Sequence, residues 1–488
     1  MRNAMNYKLI ARIISFILIL EALFMIPAWC ISMYYHETNA SFAIVKSELV
    51  ILIAASLLWG YSRQAKYNFY AKEGFVTTGL AWIVLSLMGA LPFYISQEIP
   101  SYVDCVFEMV SGFTTTGSSI LPNVEAMDKG LLYWRSFSHW VGGMGVLVFL
   151  LAIVPLSGKN EGFTLHILRA ESPGPSVGKL VPRMRRTAMI LYLIYVVLTV
   201  LDIFFLAIGG MPLFEAVCHA FGTAGTGGFG VKVDSFAGYS PYLQNVTTVF
   251  MLLFGVNFSC YYLLLLKRFR NVFQDEELRL FIVIVLASIG LITWNIHGIY
   301  PTFRESLRHA SFQVATIIST TGYATTDFDM WPAFSKGILL FLMCIGACAG
   351  STGGGMKVAR VLLLTKNTRR NFHQTLHPSE VRKVRVNDAP VDEKILNNVN
   401  AYLAAYAGIA VISFLLVSLD GFSIETNISA VLATFNNIGP GFHAVGPTHN
   451  FAEYSDLSKI VMIFDMLAGR LEIMPIMVLL SRSTWKKN

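Results

Sequence analysis

Long apolar runs alternate along this chain with short amphipathic stretches in a fixed order. Ten runs are long and apolar enough to cross a bilayer, at about 9–34, 43–62, 75–96, 131–156, 186–209, 241–266, 279–298, 335–364, 396–418 and 457–481. Between the third and fourth lies Ser101 to Phe113, helical in period but too short to cross. The same kind of insert recurs at 212–221, 302–318 and 423–435. Each insert ends in a Thr/Gly or Asn/Gly loop and then runs through polar residues into the next span. The unit span, short helix, loop, span therefore occurs four times. The pattern predicts an all-α polytopic membrane protein, with four pseudo-symmetric repeats around one pore and an N-terminal two-helix hairpin before them. The boundaries expected are 1–70 for the hairpin and 71–160, 161–272, 273–390 and 391–488 for the repeats.

The loops carry the chemistry. They read Thr114-Thr115-Thr116-Gly117, Gly222-Thr223-Ala224-Gly225-Thr226-Gly227-Gly228, Ser319-Thr320-Thr321-Gly322 and Asn436-Asn437-Ile438-Gly439-Pro440-Gly441. Glu108 and Gln313 each stand nine residues before a loop glycine, as does Ala430, while Glu215 stands ten before Gly225. The second loop's register is open between Gly225, Gly227 and Gly228, and the fourth's between Gly439 and Gly441. Irregular backbone at membrane depth survives only when buried in protein or lining water. Four such loops around one axis can replace the hydration shell of a potassium ion with carbonyl oxygens. The bland alternative, four separate re-entrant turns with structural glycines, does not explain their matched positions.

Composition agrees with a membrane protein: 55% of the 488 residues are hydrophobic and 14% charged, which excludes an ordinary soluble globule. The net charge of +7 is spread over six basic segments separated by even numbers of spans. They include Arg2 to Arg12, Arg63 to Lys72, Lys179 to Arg186, Lys267 to Arg270 and Lys366 to Arg385, and the last is the tail. The positive-inside rule then places both termini in the cytoplasm, and membrane topology explains the charge without any nucleic acid. Residues 9–35 lack a small-residue cleavage site and are expected to remain as an anchor. The cysteines show no ligand spacing; Cys344 and Cys348, one turn apart, have no histidine near them in sequence.

Two strings imitate nucleotide sites. Gly225-Thr226-Gly227-Gly228-Phe229-Gly230 satisfies GxGxxG, but no strand precedes it. The string from Gly350 to Lys357 resembles a phosphate loop with the lysine displaced. Gly346, Gly350, Gly353, Gly354 and Gly355 instead put five glycines in ten residues of an apolar run, where a helix should break. An intramembrane loop below the filter, able to occlude it, is the expectation; close helix packing is the alternative. In the last span Arg470 is near mid-depth, beside Asp465 and Glu472. Either it forms an internal salt bridge with one of them, or it stands beneath the filter as a barrier to cations. One histidine per repeat, at 139, 219, 309 and 443, suggests a ring at the pore mouth. Without paired carboxylates they supply no reaction, and no enzyme activity is expected.

In combination, Thr114 to Gly117, Ser319 to Tyr323, Asn436 to Gly441 and Gly469-Arg470-Leu471-Glu472 resemble the TrkH-type members of the superfamily that also holds TrkG, KtrB and the plant HKT transporters. The resemblance runs over essentially the whole length, including the extra hairpin. It implies a selectivity filter for K+ at Thr115, Thr116, Gly117, Thr320, Thr321, Gly322, Asn437, Ile438 and Gly439, with Thr223, Ala224, Gly225, Thr226 and Gly227 supplying the second loop. Glycine at 117 matches the potassium-selective type; some sodium-selective relatives carry serine. The resemblance further implies a gate at Gly346, Gly350, Gly353, Gly354, Gly355 and Arg470, and potassium as the bound and transported ion with no cofactor in this chain. It also implies a homodimer among membrane lipids in the bacterial inner membrane. A cytosolic ring of TrkA-like, nucleotide-binding (RCK) subunits is implied as a regulator, for which the loops 366–394 and 157–185 offer contact surface. The alternative is a symporter driven by Na+ or H+; intramembrane acids suited to a proton relay are few (Asp202, Asp465, Glu472).

Overall fold

A computed structural model describes residues 5–65, 70–145, 184–380 and 382–485. Outside them fall the lower end of the expected span 131–156 and nearly all of the loop 157–185. The N-terminal hairpin is α1 (Tyr7–Tyr34) and α2 (Thr38–Tyr61). Asn6 caps α1 by accepting from the Leu9 N–H at 3.1 Å, and Ser15 Oγ bonds Ala55 O across the hairpin at 2.8 Å. Its turn is fixed to the first repeat, because the Glu37 carboxylate accepts the N–H groups of Lys129 and Gly130 at 2.6 and 3.0 Å.

Repeat 1 holds α3 (Ala71–Gly89), α4 (Leu91–Ser96), α5 (Tyr102–Phe113) and α6 (Lys129–Gly143). Repeat 2 holds α7 (Met184–Ile208), α8 (Leu213–Gly225), α9 (Pro241–Gly255), α10 (Phe258–Leu265) and α11 (Phe269–Gln274). In repeat 3 come α12 (Glu276–Ile296), α13 (Phe303–Ile318), α14 (Ala333–Ile345) and α15 (Val358–Leu376), followed by a two-stranded hairpin, Arg385–Val386 with Ala389–Pro390. Repeat 4 is α16 (Glu393–Val417), α17 (Ile424–Phe435), α18 (Asp456–Arg470), α19 (Met474–Leu480) and α20 (Arg482–Trp485). The fold is all-α and polytopic, as the sequence pattern predicts.

The short helices α5, α8, α13 and α17 each carry an acid in the first turn: Asp104, Glu215, Glu305 and Glu425. Ser101, Thr302 and Ser423 cap three of them through side-chain oxygens. Acids and caps favour these N-termini, so each helix directs its C-terminus, with its partial negative charge, toward the loop that follows. The C-terminal halves are buried.

The ten continuous spans need correction. Among the described residues six helices cross uninterrupted by length and composition: Tyr7–Tyr34, Thr38–Tyr61, Lys72–Ser96, Ala188–Ile208, Glu276–Ile296 and Glu393–Asp420. The second helix of every repeat stops early. α6, α9 and α18 have 15 residues and α14 has 13, which at 1.5 Å per residue gives about 20–22 Å, short of the ~30 Å hydrocarbon core. After α6 the chain turns at Gly145, φ +81°; α10 is bent 89° from α9. α14 gives way to the loop 346–357, and α18 breaks at Glu472 and Ile473, φ +56° and +66°. Hydropathy measures apolarity rather than helicity, and the residues past each break are apolar enough to hide it.

Candidate ion pathway

The four loops repeat one another in backbone detail. Thr115, Thr226, Thr320 and Asn437 take left-handed φ values of 55°, 55°, 61° and 55°. The next N–H in each loop, from Thr116, Gly227, Thr321 and Ile438, donates to Ser111 O, Gly222 O, Thr316 O and Ala433 O at 2.8, 2.8, 2.8 and 2.9 Å. This is the helix-ending motif in which a left-handed residue turns the chain back onto the last turn. Two residues past each left-handed threonine or asparagine comes a glycine with positive φ: Gly117, Gly228, Gly322 and Gly439, at 82°, 77°, 93° and 102°.

This geometry settles the open register. The second loop's equivalent glycine is Gly228, and the fourth's is Gly439 rather than Gly441. Thr223, Ala224 and Gly225 form the last turn of α8, so of the second-loop residues expected at the filter only Thr226 and Gly227 lie in the loop. The spacing rule then selects His219, nine residues before Gly228, in place of Glu215. The run of glycines in this loop concealed the frame, since several of them could take the positive φ.

The glycines close a ring. A Cβ built on Gly117 would lie 2.0 Å from Gly227 O; on Gly228, 2.0 Å from Thr321 O; on Gly322, 2.1 Å from Ile438 O; and on Gly439, 2.9 Å from Thr116 O. Each repeat's glycine thus faces the carbonyl of the next repeat in the order 1, 2, 3, 4 and back to 1. Among the described residues no donor reaches the carbonyl oxygens of Thr115, Thr116, Thr226, Gly227, Thr320, Thr321, Asn437 or Ile438. All but Gly227 belong to residues that are fully buried at 0% exposure. Buried carbonyls are ordinarily satisfied, so this many orphans in a ring could be satisfied by a dehydrated cation in place of hydrogen-bond donors.

Side chains brace the ring from behind. Thr116 Oγ1 pairs with Thr114 Oγ1 at 2.8 Å and Thr321 Oγ1 with Ser319 Oγ at 2.7 Å. Asn437 Nδ2 donates to Thr116 Oγ1 at 2.9 Å, and Ser118 Oγ to Gly439 O at 3.1 Å, joining repeats 4 and 1. Tyr323 OH donates to His219 O at 3.0 Å, joining 3 to 2. His139 bonds Gly112 O through Nδ1 at 2.7 Å and accepts the Phe229 N–H at Nε2, 3.2 Å, the arrangement of a neutral imidazole bridging repeats 1 and 2. Above the glycines, Arg135 Nε meets Glu108 Oε1 at 2.6 Å. Its other nitrogens donate to Gly230 O and Ser119 Oγ, while Glu108 Oε2 accepts the Ile120 N–H at 2.9 Å.

The expected histidine ring does not form. His139 is buried in α6, and His219 faces Tyr239 OH. His309 faces Thr325 Oγ1, and only His443 reaches the exposed surface, between Asp329 at 3.1 Å and Glu425 at 2.8 Å. No group of three His, Cys, Asp or Glu able to hold a metal occurs among the described residues.

Below the ring lies the glycine-rich loop. Gly346, φ +74°, ends α14. The Gly354 N–H donates to Thr320 Oγ1 at 2.6 Å, and a Cβ on Gly353 or Gly354 would lie 2.7 Å from Ser319 O or 2.5 Å from Asn436 O. Two of the three consecutive glycines therefore sit flush against the third and fourth loops. Contrary to the salt-bridge alternative, Arg470 pairs with neither Asp465 nor Glu472. Its guanidinium donates to Thr352 O at 2.8 Å and to Gly142 O and Gly143 O at 2.5 and 2.9 Å. The cation thus meets the carbonyl end of α6, where positive charge is favoured. Glu472 pairs with Arg360, and Asp465 accepts from Ser413 Oγ at 2.7 Å.

Sequence reasoning missed the α9–α10 elbow, which holds this loop from repeat 2. Cys348 N donates to Gly255 O at 3.1 Å and Phe258 N to Gly350 O at 3.0 Å, and Thr352 Oγ1 to Phe254 O at 3.2 Å. The available signal was Gly255-Val256-Asn257, a glycine and an asparagine inside an apolar run. Lys357, the displaced lysine of the string that resembles a phosphate loop, is 1% exposed with φ +76°, and its Nζ donates to Gly353 O.

A family model described as TrkH, a cation transport protein, matches residues 40–487. The Trk system potassium uptake protein TrkH of Salmonella typhimurium is 36% identical over 491 aligned residues, covering 99% of this chain and 100% of that protein. Trk system potassium uptake protein TrkG of Escherichia coli K12 is 30% identical with the same coverage. The crystal structure of the potassium transporter TrkH from Vibrio parahaemolyticus superposes with a TM-score of 0.88 at 32% identity, covering 99% of this chain and 100% of that one.

Proposed function

The chain belongs to the TrkH family of cation transport proteins, and on that premise we propose that potassium crosses the membrane through the ring of carbonyls at Thr115, Thr116, Thr226, Gly227, Thr320, Thr321, Asn437 and Ile438. It is a multi-pass transport protein for potassium uptake of the Trk type. The observation that carries the filter reading is the set of buried carbonyls without donors. Each would cost about 1–3 kcal/mol if left unmatched, and a potassium ion on the axis supplies the match. The C-termini of α5, α8, α13 and α17 add four partial negative charges aimed at the same axis.

The glycine-rich loop 346–357 and Arg470 act as the gate. The loop's backbone lies against the inner side of filter loops 3 and 4, and Arg470 places a cation beside it, where a potassium ion would be repelled. Opening requires Thr352 O to leave the guanidinium. The basic segments face the cytoplasm of a bacterial cell, with both termini inside the inner membrane. A cytosolic, nucleotide-binding ring regulates the gate, and the protein works as a homodimer with one pore per protomer.

The test is rubidium uptake into liposomes holding the purified protein under a clamped potential. Uptake that follows the imposed potassium gradient and excludes sodium supports the pore. A requirement for a sodium or proton gradient would move the protein to the symporters. Absence of cation flux, with or without a cytosolic partner, would overturn the filter reading.

A further inference from the structure

α12 starts at Glu276 and has 21 residues, so at 1.5 Å each it covers about 31 Å, the whole hydrocarbon core. The segment just before it, α11, therefore lies at the membrane boundary. α9 covers only about 22 Å before the chain turns, and α10 leaves it at 89°, running sideways before α11 is reached. Together residues 258–274 form an arm that lies along the membrane rather than through it.

The arm's outer face alternates bulky apolar and cationic side chains. Leu265, Leu266, Phe269 and Phe273 are 66%, 48%, 54% and 73% exposed, and between them stand Lys267, Arg268 and Arg270, also exposed. None of the three cations forms an ion pair among the described residues. The acids next in sequence are engaged elsewhere. Asp275 caps Leu278 N and accepts from Asn387 Nδ2, Glu276 pairs with Lys366, and Glu277 accepts the Ala349 N–H at 2.5 Å. Unpaired cations interleaved with exposed aromatic and aliphatic groups, at headgroup depth, match an anionic lipid in both halves: phosphate for the charges, acyl chain for the rings.

The arm is also attached to the glycine-rich loop. The elbow between α9 and α10 makes the Phe258 N–H to Gly350 O bond at 3.0 Å and the Cys348 N–H to Gly255 O bond at 3.1 Å. Asn257 Oδ1 lies 3.0 Å from where a Gly350 Cβ would stand. A change in the tilt of α10 therefore acts on the loop through backbone groups.

We propose that residues 265–273 form a binding site for the headgroup of an anionic phospholipid, and that the bound lipid biases the loop 346–357 through the α9–α10 elbow. The binding half stands on the arm alone; the coupling half rests on the gate reading above. Removing one surface cation of this kind weakens headgroup attraction on the order of fivefold.

The test compares the full-length protein with the K267Q/R268Q/R270Q variant, using phosphatidylglycerol as the probe. Native mass spectrometry reads the phosphatidylglycerol retained, and rubidium uptake is measured in neutral vesicles with and without that lipid. The wild type is expected to retain the lipid and to take up rubidium several-fold faster when it is present. The variant should lose at least tenfold in retention and should respond to the lipid no longer, while matching the wild-type rate in neutral vesicles. The charge-conserving R268K/R270K variant should behave as wild type. Equal retention by wild type and triple variant overturns the site, as does a defect seen only with a cytosolic partner present. Reduced retention with an unchanged response of uptake to lipid overturns the coupling. Uptake absent from every vesicle, with the cytosolic partner as well as without it, while retention differs as expected would reject the pore reading and leave the lipid site standing.

Discussion

The Arg470 guanidinium donates to the Thr352 carbonyl oxygen at 2.8 Å, tying the broken end of α18 in repeat 4 to the glycine-rich loop of repeat 3. The same side chain reaches the carbonyl end of α6 in repeat 1, so one cation holds three repeats together beneath the ring.

Replacing it should release the loop. In Arg470→Gln the charge and the Thr352 bond are lost, and a charge-assisted bond of this kind contributes about 1.5–3 kcal/mol. Basal rubidium uptake in liposomes without a partner is expected to rise by roughly tenfold, the rate equivalent of the lower figure. An unchanged or lower rate in a variant that still folds would separate Arg470 from gating.

Glycine tolerance should follow the ring rather than the motif. Gly228 takes φ +77° and its built Cβ lies 2.0 Å from Thr321 O, whereas the one on Gly230 meets nothing nearer than Lys232 O at 3.2 Å. Gly228→Ala is expected to abolish potassium-selective uptake and Gly230→Ala to keep most of it. Sodium permeation measured alongside shows whether the filter has deformed or the protein has only unfolded. The reverse order of sensitivity would return the second loop's register to question.

The Arg135–Glu108 pair, with side chains 2% and 0% exposed, orders the outer mouth by holding Gly230 O, Ser119 and Ile120. Breaking a buried pair from one side leaves a charge stranded, at a cost of about 3–5 kcal/mol. Thermal unfolding in detergent should show Glu108→Gln clearly less stable than wild type. The double change Glu108→Leu with Arg135→Met should recover part of the loss, because it strands no charge.

Acid–base behaviour outside the spans gives a further check. Burial, with the nearby charges of Asp128 and Glu37 adding to it, pushes the Glu98 carboxyl from its ordinary 4.5 up to about 8. The folded protein keeps a proton there that the unfolded chain gives up from pH 4.5 upward. Stability is therefore undiminished below that pH, falls as pH rises toward about 8, and levels off beyond it. Glu98→Gln has no such proton to lose. Its melting temperature should gain on the wild type between pH 5 and 8.5; a constant difference across that range would remove Glu98 as the cause.

Much of the architecture was legible because it is written in repetition. Apolar length marked the spans, and three of the four short helices were placed within a residue at each end: 102–113, 303–318 and 424–435. The fourth, α8, runs on to Gly225, past the expected end at 221, because Thr223, Ala224 and Gly225 continue the helix as readily as they would start a loop. In loops 1, 3 and 4 the left-handed residue and the positive-φ glycine fall on the Thr-Thr-Gly and Asn-Ile-Gly strings that the sequence singles out. Breaks in the second helices were not, apart from the five-glycine segment. Past Gly143 nothing in the apolar composition distinguishes a helix that continues from one that must stop, and the polar signals at the other two breaks, Asn257 after Gly255 and Arg470 with Glu472 after Gly469, are equally compatible with a span that continues. The reason lies in tertiary contact: a Cβ on Gly142 or Gly469 would come within 1.9 Å of Phe113 O or Phe435 O. Those glycines let the second helices press on the ends of α5 and α17, a requirement invisible along one chain segment. The partners of Arg470 were illegible for the same reason, since three backbone carbonyls from two distant repeats leave no charge pattern beside it.

The most direct test of the ring is to locate the ion. Crystals grown in rubidium or thallium should give anomalous density on the axis among the carbonyl oxygens of Thr116, Gly227, Thr321 and Ile438. That density should vanish when sodium replaces the heavier ion and weaken in Gly228→Ala. A structure of transport-competent protein that binds rubidium elsewhere, with the axis empty, would contradict the account.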